Sequence, residues 1–233
     1  MLPPVAHARF NNLIEDFGLG DPVSLRREMV KYNSIISGSA ALLVFHPGAF
    51  TPGDLDFYVP AANAANFKAV LKDRGFFDNC EDNKRPYYPS SNLLTTCRFW
   101  KEGLGRSVNL ITIRGDNPLV VVVQFHSTLL MNVITGHGVV CLYPLLTLPG
   151  RGLIMVDTMK ARKCLVKYGR RGFRFQTVFA SHQCDYTGYC RNATRSIDDK
   201  DVLTVPFEYQ PQSANTSIAG LTPFQWRLGP IRM

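Results

Sequence analysis

The chain has 233 residues, 45% of them hydrophobic and 19% charged, with a net charge of +8 and a pI near 9.3. That length and hydrophobic share supply one sizeable core, or a core with a small appended unit, and exclude a disordered chain. No run of about 18 apolar residues occurs, which excludes a membrane-spanning helix, and Met1-Leu2-Pro3-Pro4-Val5-Ala6 lacks the basic-then-apolar order of a secretory leader. A protein of the cytoplasm or nucleus is the expectation.

Phe10, Leu13, Ile14 and Phe17 recur at helical spacing, so residues 6–17 predict a helix ending at Gly18. Residues 24–32 predict a second, opened by Asp21-Pro22 or Ser24, and residues 33–37 read as the first strand. Ile36-Ser37-Gly38-Ser39 then leads into the apolar helix Ala40-Ala41-Leu42-Leu43-Val44-Phe45. Gly38 permits close backbone approach, and Ser39 adds a hydroxyl where free N–H groups favour an anion.

Asp54-Leu55-Asp56-Phe57 follows. In a strand, alternate side chains share a face, so Asp54 and Asp56 point one way while Leu55 and Phe57 anchor the other. The two carboxylates start roughly 6–7 Å apart at the backbone, close enough for both to converge on one Mg²⁺ or to bridge two, an ion that takes a few hard oxygens and completes its shell with water and phosphate.

Farther on, residues 61–74 predict a helix with Phe67, Val70 and Leu71 on one face, and residues 79–91 an exposed loop in which Tyr87 and Tyr88 border a cleft. Strands over 95–101 and 107–113 are joined as a hairpin by Gly103-Leu104-Gly105. Residues 118–126 carry four valines, which argue against helix, and a helix is expected there only from the resemblance given below. Residues 131–135 and 139–143 are read as short helix and strand pieces, and Asp157 as the cap of a helix running to Tyr168. From Gly169 onward the chain predicts an irregular extension.

The residues Ile36, Gly38-Ser39 and Asp54-Leu55-Asp56-Phe57 resemble the pattern of the DNA polymerase beta-like nucleotidyltransferase superfamily: a hydrophobic residue, Gly with Gly or Ser, a spacer, then acidic-hydrophobic-acidic-hydrophobic. The resemblance covers about residues 30–115. It implies an α/β (α+β) fold, a mixed β-sheet flanked by helices, with residues 1–155 as the core and residues 156–233 as a basic helix and irregular extension packed on it.

It also implies a site. Asp54 and Asp56 would hold Mg²⁺ or Mn²⁺ in a two-metal arrangement, and Gly38 and Ser39 would bind the β- and γ-phosphates of an NTP. The third carboxylate of active members would stand on a neighbouring strand, and the best candidate strand places Asn109 there. An amide brings no charge and cannot act as a general base. Glu102 and Asp116 flank that strand and would substitute in another register. Two functions stay open: transfer of a nucleoside monophosphate from an NTP to a hydroxyl acceptor, or a catalytically silent protein that binds nucleotide or nucleic acid.

Lys160, Arg162, Lys163, Lys167, Arg170, Arg171 and Arg174 form a basic segment with no acidic residue between Asp157 and Asp185. Lys160, Lys163, Lys167, Arg170 and Arg171 are therefore candidates for contacting a triphosphate or a nucleic-acid backbone, with Tyr168, Phe173 and Phe175 available to stack bases or fill core. His126 is a candidate proton acceptor, with a hydrogen-bonded structural role as the alternative. The six cysteines are dispersed, so reduced thiols are expected. His182, Cys184 and Cys190 with Cys164 are a candidate zinc set, without the paired short spacing such sites use.

Overall fold

The computed structural model describes residues 1–78, 92–177, 190–208 and 221–229. The loop expected over 79–91, and His182 and Cys184 of the candidate zinc set, lie outside them.

Helices α1 (Pro3–Asp16) and α2 (Pro22–Lys31) each carry proline in the first turn, where its missing N–H costs nothing. Asp21 caps α2 by accepting from the Ser24 amide at 2.7 Å. The chain continues through β1 (Ile35–Ser37), α3 (Ser39–Phe45), β2 (Asp54–Pro60), α4 (Ala61–Asp73), β3 (Phe77–Asp78), β4 (Leu93–Trp100) and β5 (Ser107–Ile113). It then forms α5 (Leu119–Val122), β6 (Asn132–Ile134), β7 (Gly138–Cys141), α6 (Pro144–Thr147), β8 (Arg151–Leu153), α7 (Met159–Gly169), β9 (Arg174–Gln176), β10 (Arg195–Ser196), β11 (Leu203–Pro206) and β12 (Gln225–Trp226).

Among the described residues, eight strands form one sheet in the order β11-β7-β6-β1-β2-β5-β4-β3, with β2 and β5 parallel and the other neighbours antiparallel. The expected mixed sheet flanked by helices is thus present. One face packs against the N-terminal helices through Leu55, Phe57, Val59, Phe67, Phe99, Phe10 and Leu25. Leu55, Phe57 and Val59 are 0% exposed, and burying each contributes about 1.5–3 kcal/mol. The opposite face is apolar through Ile35, Tyr58, Ile111 and Val133, and the later chain covers it with Ile197, Leu221, Trp226 and Leu228.

Four secondary-structure expectations change. Residues 118–126 hold only the single turn α5, as the β-branched valines foreshadow. Asn132–Ile134 is a strand rather than a helix, because it pairs with β1 on one side and β7 on the other. Thr158, not Asp157, caps α7 by accepting from the Ala161 amide at 3.2 Å, while Asp157 pairs with Arg162 at 2.6 Å. Within the segment expected to be irregular, β11 extends the sheet beside β7.

No helix among the described residues is long and apolar enough to cross a membrane. Cys97 is disulfide-bonded, against the expectation of reduced thiols, whereas Cys141 and Cys164 are free.

Candidate functional site

Strand alternation puts Asp54, Asp56 and Tyr58 on one face of β2. The pairing register then builds a polar row across four strands. Ser37 of β1 stands beside Asp56, Asp56 beside Asn109 of β5, and Asn109 beside Arg98 of β4. Asp56 and Asn109 are in register on parallel strands, so the neighbour facing the carboxylate pair is the amide. Glu102 and Asp116 lie beyond the two ends of β5 and do not replace it.

Gly38 turns the chain between β1 and α3 at φ 75°, a left-handed conformation that glycine adopts without penalty. A Cβ at this position would stand 2.9 Å from Asp56 Oδ2. The glycine-serine corner and the carboxylate strand therefore meet in space. Ser39, at 5% exposure, is tucked into the first turn of α3, and Ser37 donates its hydroxyl to the Asn132 carbonyl at 2.6 Å. Gly38→Ala combines positive-φ strain with this close contact. It is expected to lose about 1–3 kcal/mol of stability in denaturant titration, since such backbone strain costs amounts of that order.

Asn109 is 7% exposed and donates Nδ2–H to Asp56 Oδ1 at 2.7 Å, while Arg98 donates from Nε to Asn109 Oδ1 at 3.4 Å. Burial pushes the Asp56 carboxyl up to about 6, Asn109 opposes that rise, and the Asp54 charge adds to it. Lys167 and Arg98 pull in the opposite direction. The sign for stability follows from linkage. A carboxyl raised above its unfolded value of 3.8 penalises the folded state fully above pH 6, and the penalty fades as pH falls toward 4. At pH 8 the penalty is on the order of 3 kcal/mol at most. Asp56→Asn removes it while keeping an acceptor for Asn109, so the variant is expected to melt higher than the parent at pH 8. Calorimetry at pH 4 should find that advantage gone.

Above this row lies the C-terminal end of α7. Among the positively charged side chains, Lys167 and Arg98 exert the electrostatic pull on Asp56. Tyr168 is 4% exposed, and its hydroxyl is pushed up first by burial, with the charges of Asp54 and Asp56 contributing. Arg171 lies with its guanidinium 4.1 Å from the Phe50 ring and 5.1 Å from the Tyr168 ring. Lys160, Lys163 and Arg170 are exposed on the surface of the segment. Phe125 packs on Tyr58 at 5.9 Å between ring centroids, and neighbouring His126 sits 6.5 Å from Tyr168. Burial and then Lys167 push His126 down to about 4, so its imidazole is neutral near pH 7.

Gly38, Asp54, Asp56 and Asn109, grouped from the sequence, stand together here, and of the basic candidates Lys167 and not its neighbours acts on Asp56. Sequence reasoning missed Arg98 and Tyr58, and named Tyr168 only as a residue to stack bases or fill core. Tyr58 was legible, being two residues past Asp56 on the same strand face. Arg98 was not, because it joins the row only through the β4–β5 register.

Among the described residues, no group of three or more His, Cys, Asp or Glu converges as a metal cluster. The donor set here is two carboxylates and a neutral amide whose N–H groups point at Asp56. It fits one divalent cation held by Asp54 and Asp56 and completed by water and phosphate oxygens. It does not fit a pair of cations, for which one more anionic ligand would be needed.

No protein-family model matches the chain, and no curated protein sequence does. Among solved structures, the chain is similar to a CCA-adding enzyme in its apo form I, at 14% identity and a TM-score of 0.48, covering 71% of this chain and 42% of that one. A CCA-adding enzyme in complex with ATP follows at 15% identity and 0.45, covering 71% and 41%. A tRNA-processing enzyme in its apo form I follows at 15% identity and 0.43, covering 66% and 43%. The chain thus spans about two-fifths of the length of these structures.

Proposed function

We propose that the Asp54–Asp56 face is a nucleoside triphosphate site of the nucleotidyltransferase kind, loaded with one Mg²⁺ or Mn²⁺. The observation that carries this reading is the meeting of the Gly38 corner with the carboxylate strand, 2.9 Å from a Cβ at residue 38 to Asp56 Oδ2. Only a residue without a side chain leaves that space for phosphate oxygens.

Asp54 and Asp56 would hold the cation, which when bound neutralises and orients the phosphates. Gly38 and Ser39 offer backbone at the corner, and Lys167 adds positive charge from α7. Tyr58 and Tyr168, 6% and 4% exposed, lie close enough to the carboxylates to feel their charge, and apolar bulk of this kind strengthens charge interactions beside it.

The reaction served by such a site is attack of an acceptor hydroxyl on the α-phosphorus. The α–β bridging P–O bond breaks, pyrophosphate leaves, and the hydroxyl proton passes to a base. In this chain the group beside Asp56 is Asn109, which takes no proton. That observation favours the second reading, a silent protein that holds nucleotide without turning it over.

One experiment separates these outcomes. An α-phosphate-labelled NTP is incubated with the chain and Mg²⁺, then bound label and label transferred to acceptor are counted. Chelator-sensitive retention supports the site, and transferred label supports catalysis. Retention without transfer supports the silent reading. Absence of retention at millimolar NTP discards the nucleotide site.

A further inference from the structure

Resting on the nucleotide reading above, we propose that Arg98 and Asn109 take the place of a second metal ion, so that the site binds triphosphate with a single divalent cation. The motive is the row Asp56, Asn109, Arg98, aligned across β2, β5 and β4. The orientation of the amide is set by its neighbours. With Nδ2 toward Asp56 Oδ1 at 2.7 Å and Oδ1 toward Arg98 Nε at 3.4 Å, every contact joins a donor to an acceptor. The flipped amide would press N–H groups against the guanidinium and a carbonyl against the carboxylate, both repulsive.

This arrangement relays the Arg98 charge to Asp56 through Asn109. A third carboxylate would attract a further divalent ion, whereas the amide attracts none and the guanidinium repels one by like charge. Two carboxylates with one divalent ion and one guanidinium leave the same net charge as three carboxylates with two divalent ions. Arg98 is exposed beyond the carboxylate. Its fork of N–H donors is therefore available to a phosphate oxygen in the position the absent cation would have faced.

Arg98 acts here as a positioning and charge-supplying residue, so the decisive readout is stoichiometry. The full chain is titrated with Mn²⁺ in the presence of a non-hydrolysable NTP analogue, and bound ions are counted by electron paramagnetic resonance. One bound Mn²⁺ per chain is expected for the parent and two for Asn109→Asp. Arg98→Ala should weaken binding of the analogue by about tenfold, the amount expected for one hydrogen bond to a charged group. Arg98→Lys should recover part of that affinity by restoring the charge. Two Mn²⁺ ions in the parent, or full analogue affinity in Arg98→Ala, overturns the relay while leaving the nucleotide site intact. Failure of the parent to bind the analogue with any Mn²⁺ overturns both. The parent measurement stands whether or not Asn109→Asp folds.

Discussion

Asp56→Ala is expected to abolish Mg²⁺-dependent handling of NTP. Asp56 sits at the centre of the polar row, beside Ser37 and Asn109, with Oδ2 against the Gly38 corner. Removing it deletes half of the carboxylate pair and leaves the Asn109 Nδ2 donor without its acceptor. Loss of comparable preorganised charge stabilisation costs about 10²–10³-fold in enzymes. Nucleotide retention, and any label transfer, should therefore fall by about a hundredfold or more. Because the buried carboxylate is itself unfavourable at neutral pH, the variant should stay folded, and circular dichroism checks this. Unchanged retention by a folded Asp56→Ala variant would remove the basis of the assignment.

Asn109→Asp carries the second large effect, and its direction is a gain. The new carboxylate would sit in hydrogen-bond range of Asp56, given the present 2.7 Å contact. Two like charges at that range cannot both ionise without a cation, so one proton is shared and the metal-free fold is weakened. Melting temperature should fall in chelator and recover on adding Mg²⁺ or Mn²⁺. With the cation present, an added base contributes about 10²–10⁴-fold in catalytic settings. Label transfer to an acceptor is expected to rise by about a hundredfold over the parent. A variant whose stability ignores divalent ions would show that residue 109 does not face the cation site.

Unlike Asp56→Ala, Asp56→Asn separates charge from packing. That substitution is isosteric and retains the Asn109 bond, so it isolates the ionisation of Asp56 from its packing. A pH-dependent stability gain combined with loss of nucleotide would place the carboxylate in a familiar trade-off, in which a buried charge is kept for function at a cost in stability.

Much of this protein followed from local pattern. Strand period two was enough to place Asp54, Asp56 and Tyr58 on one face, because the pleat allows no other alternation for Leu55, Phe57 and Val59 once they are buried. Gly38 was legible as a point of close backbone approach, and the left-handed φ of 75° at that corner is what the structure adds. Asn109 stood out only against the pattern the family resemblance implies, with Glu102 and Asp116 left open as substitutes. The tertiary structure decided the rest, since it depends on pairing between residues distant in sequence. Register set Asn109, rather than Glu102 or Asp116, beside Asp56, and register brought Arg98 into the row. Packing of α7 chose Lys167 from a run of cations that are indistinguishable as a string, because helix phase determines which of them lies near enough to act on Asp56. Residue type and local period fixed which groups could do chemistry, and long-range pairing selected those that stand together.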